Sequence, residues 1–213
     1  LALYLRYNSI PAPHSIFKNI YKLSPGAMIS VGLDLKKNKE MFYWSTIEEA
    51  NIGKREAFSE SYLSAVDTLQ SKLLDAVNSQ MHADVPLGVF LSGGVDSSTI
   101  AALMQEKSSK KVKTFSIGFE DNRYNEAEHA KSVANHLGTD HHDMYVTSKD
   151  ALNVLPLLPD MFDEPFADSS QIPMYLVSKI AKSKVTVCLS GDGGDELFGG
   201  YNRYLIASKL WSK

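Results

Sequence analysis

Hydrophobic positions along most of the chain follow two patterns, short continuous runs and longer stretches with helical spacing. Four runs of strand length are expected, at 87–91, at 112–118, near 142–146 and at 185–189. Between them, apolar residues recur every three or four positions, as they do on one face of a helix. This spacing predicts helices near 95–107, 125–137 and 174–182. Apolar strands that alternate with amphipathic helices indicate an α/β fold, with a parallel β-sheet flanked by helices.

The N-terminal part of the chain has weaker patterns. Proline and glycine mark a turn at Ser24-Pro25-Gly26, and two short strands are expected at 28–31 and 41–44. Strands this few and short cannot build a hydrophobic core of their own. Residues 46–57 are polar and are expected to form a linker. A long helix is predicted after this segment, because one helical face collects the apolar residues Tyr62, Val66, Leu69, Leu73 and Val77.

Composition narrows the classes of protein that need to be considered. The 213 residues are enough for one good-sized core. A formal net charge of −3 argues against general binding to nucleic acids or anionic membranes, and no apolar run is long enough to predict a membrane-spanning helix. Cys188 is the one cysteine of the sequence, which excludes an intrachain disulfide and favours a cytoplasmic location. Because the sequence starts at Leu1 rather than Met, we expect it to be a fragment of a longer chain.

Two of the predicted strands end in glycine-rich loops that carry hydroxyl and carboxylate side chains. The first loop is Ser92–Ser98, between the strand at 87–91 and the following helix, and the second is Ser190–Glu196, after the strand at 185–189. Ligands of parallel α/β sheets bind beyond the carboxyl ends of the strands. Both loops are therefore expected at the same edge of the sheet, where a ligand can reach them.

The first loop has the features of a phosphate site. Gly93 and Gly94 let a ligand approach the backbone closely, and the helix that starts near Val95 directs its free N–H groups towards the loop. Asp96 would repel a phosphate unless a cation lay between them, which implies Mg²⁺. The alternative is a tight turn in which a serine or aspartate caps the helix. No lysine stands where a Walker loop requires it.

The second loop carries more negative charge than a phosphate alone would tolerate. At least one of Asp192, Asp195 and Glu196 is expected to bind the same Mg²⁺ or to face a cationic group. The alternative is a glycine-rich turn with solvated acidic side chains. Three histidines, His136, His141 and His142, could suggest a metal, but no cysteine or carboxylate stands at a usual ligand spacing, so we interpret them as a helix end and a strand start.

The string S-G-G-x-D-S-S at 92–98 resembles the pyrophosphate loop of the ATP pyrophosphatase enzymes. The segments Pro86–Leu91, Val133–Thr139 and Ser190–Tyr201 are similar, more narrowly, to the glutamine-hydrolysing asparagine synthetases. Tyr7–Gly26 resembles the end of that family's N-terminal glutaminase domain. The resemblance implies an adenine nucleotide α-hydrolase-like, Rossmann-like fold.

The same resemblance implies roles for individual residues. The pyrophosphate would be held by Ser92, Gly93, Gly94, Asp96, Ser97 and Ser98. Asp96 and Asp195 would bind Mg²⁺, and the backbone of Leu91 and Ile117 would contact the adenine. Ser190 and Gly191 would lie near the ribose or the α-phosphate, and Asp163–Ser170 would lie by the acceptor substrate. Asp192 would belong to the catalytic set with Asp96 and Asp195, but many relatives have Glu at its position, which leaves its role open.

The activity implied by the resemblance is ATP-dependent amide synthesis. A substrate carboxylate, with aspartate as the first candidate, becomes an acyl-adenylate, and ammonia derived from glutamine then gives the amide. The alternatives are amidation or lactam formation on another carboxylate, or a nucleotide-binding module without catalysis. The domains implied are a glutaminase remnant at 1–45, the linker at 46–57 and a C-terminally truncated synthetase domain at 58–213, inactive in isolation. The partners implied are the glutaminase domain of the parent chain and a small carboxylate, with homodimer formation left open.

Overall fold

The computed structural model describes residues 1–34, 39–119 and 125–211, which fall into two compact units. One unit combines Leu1–Val66 with Pro156–Ser169, and the other combines Asp67–Leu155 with Ser170–Lys213. A segment from the middle of the chain therefore packs with the N-terminal part. The three domain borders expected from the sequence stay a prediction.

The first unit holds a small amount of regular structure. Helix α1 spans Ala2–Tyr7, and strands β1 (Ala27–Met28) and β2 (Met41–Phe42) form an antiparallel pair. The short N-terminal β piece expected from the sequence is therefore present. Helix α2 (Thr46–Arg55) occupies most of the segment expected to be a linker. Ser45 starts it by accepting a hydrogen bond from the Glu48 amide, and none of its residues is buried.

The second unit is built on a four-stranded sheet. Its strands are β3 (Leu87–Phe90), β4 (Lys113–Phe119), β5 (Asp140–Val146) and β6 (Val187–Leu189). They lie in the order β5-β4-β3-β6, and every neighbouring pair is parallel. The polypeptide thus builds the sheet outwards on one side of β3 and returns to its other side for the last strand. This confirms the expected α/β class with a parallel sheet.

Helices connect the strands and complete the second unit. They are α3 (Tyr62–Gln80), α4 (Val95–Lys107), α5 (Ala127–Leu137), α6 (Ser148–Val154), α8 (Gln171–Lys182), α9 (Gly194–Phe198) and α10 (Asn202–Trp211). Helix α7 (Leu158–Met161), which follows the 3₁₀ turn Leu155–Leu157, belongs to the first unit. None of the described helices is both long and apolar enough to cross a lipid bilayer.

Two clusters of buried side chains fix the sheet against its helices. Val89 and Leu91, at the end of β3, pack with Met104 of α4 and with alanines of α5. Phe115 of β4 packs with Val177 and other residues of α8. The loops after β3 and β6 therefore start from positions that packing holds firmly. Near the end of the described chain, the rings of Tyr201 and Tyr204 pack edge to face, whereas Trp211 of α10 is 92% exposed.

Candidate functional site

The first glycine loop leaves β3 at a fixed point. The amide of Leu91 donates a hydrogen bond to the carbonyl of Phe115, 2.8 Å away, which extends the pairing with β4 by one residue. Gly93 then takes the left-handed conformation, with φ of +85°. A Cβ atom at this glycine would stand only 2.7 Å from the amide nitrogen of Ala130 in α5. Glycine is required here by both the backbone conformation and the close contact.

Hydroxyl groups hold the shape of the first loop. The hydroxyl oxygens of Ser92 and Ser97 are 2.9 Å apart, and the Gly94 amide donates to the Ser92 hydroxyl. The Ser92 amide in turn donates to the hydroxyl of Ser97. No side chain caps α4, so the amides of its first turn stay free for an anionic acceptor. The buried hydroxyl of Ser98 also lacks a hydrogen-bond partner among the described residues.

The second loop folds into a compact turn before α9. Its Ser190 hydroxyl donates to a carboxylate oxygen of Asp192, 3.0 Å away. The Gly194 amide donates to the carbonyl of Gly191, and Gly193 takes a left-handed φ of +91° where α9 begins. The carboxylate of Asp192 is thus hydrogen-bonded within its own loop, whereas Asp195 lies in the first turn of α9.

The two loops contact each other at Asp96. A Cβ atom added to Gly191 would stand 2.7 Å from the Ser97 amide nitrogen and 3.1 Å from Cβ of Asp96. A Cβ atom added to Gly194 would stand 2.5 Å from Cγ of Asp96. Neither glycine has a positive φ. The contact therefore requires glycine because there is no room for a side chain, and not because of the backbone conformation. The carboxylate of Asp96 therefore lies directly against the second loop.

Asp195 has a different setting within the same region. Its carboxylate lies against Gly200, where an added Cβ atom would stand 2.9 Å from Cγ of Asp195. Within the described residues, neither Asp96 nor Asp195 has a hydrogen bond or ion pair to its carboxylate. Unpaired carboxylates suit a hard cation.

The described residues contain no group of three or more His, Cys, Asp or Glu side chains that could hold a metal on its own. A magnesium ion fits this donor set if it takes most of its ligands from water and phosphate, as Mg²⁺ does in nucleotide sites. The three histidines considered above are consistent with a structural interpretation. His141, for example, meets the hydroxyl of Thr114 at 2.8 Å, and burial lowers the pKa of its ring.

A tyrosine and a glutamate form a hydrogen bond at the C-terminal end of the second loop. The hydroxyl of Tyr201 donates to Glu196, 2.7 Å away, and the guanidinium of Arg203 lies 4.1 Å from the Tyr201 ring centre. This hydrogen bond lowers the pKa of Glu196 and raises the pKa of Tyr201 to about 12. Glu196 is therefore engaged with its own segment, which separates it from the unpaired Asp96 and Asp195.

A cavity of about 380 Å³ opens beside the first loop; we refer to it as the strand cavity. Leu91 and Ser92, directly after β3, line it together with Ile117 of β4 and Met174 of α8. Its walls are largely apolar, and it lies at the carboxyl ends of the two central strands. A planar, partly apolar ligand such as a nucleoside base suits this position in a parallel sheet.

A second cavity of about 370 Å³, which we refer to as the loop cavity, lies beside the contact between the loops. Asp96, Ser190, Gly191 and Asp192 line it on one side, with apolar residues of α3 and α9 on the other. Of the residues singled out from the sequence, the strand cavity is lined by Leu91, Ser92 and Ile117, and the loop cavity by Asp96, Ser190, Gly191 and Asp192. Asp195 lies at the lining of neither cavity among the residues described.

The sequence did not indicate Phe119 and Glu126 of the strand cavity, whereas Ser170, which also lines it, ends the segment expected by the acceptor substrate. Glu126 lies at the start of α5, directly after the connection that follows β4. The strand-end rule could have pointed to it, because β4 ends at the same edge as β3. The contact between Gly194 and Asp96 could not be predicted from the sequence, because it depends on how two distant loops pack.

An α/β protein with a phosphate-type loop at the carboxyl edge of its parallel sheet belongs to the nucleotide-binding class. Comparison with known sequences specifies the family. The asparagine synthase family profile matches residues 68–213. The chain therefore belongs to the asparagine synthase family.

Individual relatives agree with this assignment. The chain is 40% identical over 209 residues to a protein of Methanocaldococcus jannaschii named asparagine synthetase (glutamine-hydrolysing) 2. It is 35% identical over 204 residues to asparagine synthetase (glutamine-hydrolysing) 1 of Bacillus subtilis. These alignments cover 98% and 96% of the chain, but it spans only 39% and 31% of the relatives' length. An NH3-dependent NAD synthetase from Campylobacter jejuni has a TM-score of 0.43 at 15% identity, covering 64% of this chain and 60% of its own, a similarity too low to add to the assignment.

Proposed function

We propose that this chain supplies the ATP-binding core for ATP-dependent synthesis of an amide, with aspartate as the acceptor and asparagine as the product. The observation that carries the proposal is the contact between Asp96 and Gly194, which joins the two glycine loops at the carboxyl edge of the sheet. Family membership and the asparagine synthetases it resembles support the choice of reaction.

The proposed nucleotide position follows from the two sides of the first loop. The base would enter the strand cavity against the backbone of Leu91 and Ile117. The pyrophosphate would lie on the first loop, where the uncapped amides of α4 stabilise negative charge without reorganising. Ser98 would gain a partner for its buried hydroxyl in the same step. Ser190 and Gly191 would contact the ribose or α-phosphate from the second loop.

Asp96 and Asp195 would hold the Mg²⁺ that accompanies ATP. Bound there, the ion would neutralise charge on the departing pyrophosphate. The work of the protein's own residues is to place these two carboxylates and to keep them free of other partners. The turn made by Ser190 and Asp192 would keep the second loop seated on α4.

The reaction proposed has two steps. A carboxylate oxygen of the acceptor forms a bond to the α-phosphorus while the bond to the bridging oxygen breaks and pyrophosphate leaves. Ammonia then attacks the acyl carbon, a proton is lost, the amide forms and AMP departs. The chain's residues contribute orientation and charge stabilisation to the first step. Asp163–Ser170 is proposed to face the acceptor.

The remaining assignments belong to the whole protein. We propose a glutaminase domain in the same parent chain as the source of ammonia, with 1–45 as its end, 46–57 as the connection and 58–213 as part of the synthetase domain. The relatives named as glutamine-hydrolysing enzymes support this arrangement. A cytoplasmic location is proposed from the single cysteine of the sequence, and homodimer formation stays an open alternative.

Pyrophosphate release tests the proposed function. The assay uses a chain that spans the full length of the relatives, with ATP, Mg²⁺ and a panel of carboxylates that includes aspartate. Release that depends on one added carboxylate, with formation of its amide, supports the proposal. ATP binding without release by any acceptor would instead identify a nucleotide-binding module, and release with a different carboxylate would reassign the substrate.

A further inference from the structure

Glu126 is the one ionisable side chain among the described residues that line the strand cavity. The other described lining residues are apolar or are serines. Glu126 is exposed, so its carboxylate is solvated at the edge of this apolar cavity and accessible to a ligand. It is therefore the residue of this cavity with the most to contribute to the recognition of a polar ligand.

The carboxylate of Glu126 makes no polar interaction with the described residues. No hydrogen bond or ion pair engages it, although Glu128, two residues further on, accepts a hydrogen bond from the hydroxyl of Tyr145 at 2.8 Å. The cap interaction at the start of α5 is made by Asn125, whose side chain accepts from the Ala127 amide. The helix therefore does not need the Glu126 side chain in order to begin.

The position of Glu126 relates it to the nucleoside rather than to the phosphates. Its carbonyl accepts from the amide of Ala130, the atom that a side chain at Gly93 would strike. Glu126 thus lies one helical turn of α5 away from Ala130, the residue that contacts the first loop. Ile117 and Phe119 of β4 line the same cavity as Glu126. A carboxylate at this distance from the loop can approach the nucleoside without lying against the pyrophosphate.

We propose that Glu126 is a nucleoside-recognition residue, whose carboxylate accepts a hydrogen bond from a donor group of adenosine. The inference rests on the proposed function, because it requires ATP to occupy the strand cavity. Adenosine offers two kinds of donor, the N6 amine of the base and the hydroxyls of the ribose. Carboxylates recognise ribose hydroxyls in other nucleotide sites, and a carboxylate opposite N6 would accept from an amine but repel the oxygen of a 6-oxopurine.

The experiment measures dissociation constants of the 213-residue chain by calorimetry, with Mg²⁺ present, for ATP, 2′-deoxy-ATP, 3′-deoxy-ATP, ITP and inorganic pyrophosphate. The variants are Glu126→Ala and Glu126→Gln, and Glu128→Gln on the same helix is the matched control. A charge-assisted hydrogen bond corresponds to a loss of roughly tenfold or more in ATP affinity for Glu126→Ala. Pyrophosphate affinity and the Glu128→Gln variant should stay within about twofold of the original values, since neither involves the nucleoside contact.

The analogues identify the donor. If the partner is a ribose hydroxyl, Glu126→Ala no longer distinguishes ATP from the corresponding deoxy-nucleotide, and if it is N6, the variant no longer distinguishes ATP from ITP. Equal ATP affinity in the variant and the original chain would overturn the proposal. So would an unchanged preference between ATP and all three analogues, or an equal loss for pyrophosphate. An original chain that binds pyrophosphate but not ATP would overturn the proposal while leaving the anion loop intact, whereas binding of neither would remove the proposed function as well.

Discussion

The carboxylate of Asp96 and the backbone of Gly194 are in direct contact, although 98 positions separate them in the sequence. Asp96 lies in the first turn of α4, and Gly194 is the first residue of α9. The contact joins two loops that follow different strands, β3 and β6, which are neighbours in the sheet. It therefore sets where an acidic side chain of the first loop lies relative to Asp195, the residue that follows Gly194.

Substitution of Gly194 by alanine should weaken the binding of magnesium-ATP. The added Cβ atom would stand 2.5 Å from Cγ of Asp96, so the carboxylate or the second loop must move. Gly194 does not have a positive φ, which leaves the contact, and not the backbone, as the source of the effect. We expect about a tenfold loss of ATP affinity by calorimetry, with a fall of about 1–3 kcal/mol in the free energy of unfolding.

Gly53→Ala is the control for this substitution. Gly53 lies in α2 with open space around its Cβ position, so alanine should leave ATP affinity unchanged and stabilise the helix slightly. ATP affinity that is unaltered in Gly194→Ala would contradict the view that this contact positions Asp96.

Asp96→Asn should change ATP affinity in opposite directions with and without magnesium. With Mg²⁺, loss of the carboxylate should weaken ATP binding by about tenfold, because the ion loses a charged ligand. With EDTA, the same variant should bind ATP more tightly than the original chain, because a negative charge beside the phosphates has been removed. Calorimetric titrations in the two buffers measure both effects.

Asp195→Asn is expected to behave in the same way as Asp96→Asn, whereas Asp75→Asn should have no effect. Asp75 is exposed on α3 and lines neither of the two cavities described. Equal weakening with and without Mg²⁺ would show that the two aspartates act on the fold of the loops and not through a metal ion.

Much of the fold could be predicted from the sequence because its signals are local. The apolar runs that became β3 and β4 and the helical spacing that became α5 need no knowledge of distant residues. Helix α2 was missed because its residues are polar and unburied, so that only the cap at Ser45 marks it.

The candidate site was predictable to the extent that it depends on strand ends. The resemblance assigned Leu91 and Ile117 to the same part of the ligand, and both line the strand cavity. The contact of Asp96 with Gly194 and the presence of Glu126 in that lining depend on the angle at which α5 and α9 pack. Packing of that kind is set by the whole core, so a single sequence carries little trace of it.

The hydroxyl of Tyr201 and the carboxylate of Glu196 should titrate as a pair. Their hydrogen bond lowers the pKa of Glu196 and raises that of Tyr201 to about 12, compared with an ordinary value near 10. Tyr201→Phe should therefore raise the pKa of Glu196, and Glu196→Gln should lower the pKa of Tyr201. Carbon NMR of labelled glutamate and tyrosine side chains, followed across pH, measures both values.

The sign of the effect on stability follows from the direction of each pKa shift. Stabilisation through Tyr201 should be present below pH 10 and lost as the pH rises from there towards about 12, since its pKa is higher in the folded chain. Stabilisation through Glu196 should be lost as the pH falls through the acidic range of its lowered pKa. Glu196 is exposed and Tyr201 is only half-buried, so these contributions should shrink at high salt. Identical titration curves in the original chain and both variants would exclude the pair.

Cys188 should react slowly with thiol reagents as long as the chain is folded. It lies in β6, partly buried against residues that pack with Phe115, and burial raises the pKa of its thiol to about 11. The thiolate is the reactive form, so at pH 8 only about one molecule in a thousand would carry it.

Because this is the single cysteine of the sequence, one measurement with an aromatic disulfide reagent reports on it alone. The rate should rise roughly tenfold per pH unit between pH 8 and 10 in the folded chain and should be far higher in denaturant. A folded-state rate at pH 8 that equals the rate in denaturant would contradict the burial of this strand and, with it, the packing that holds the start of the second loop.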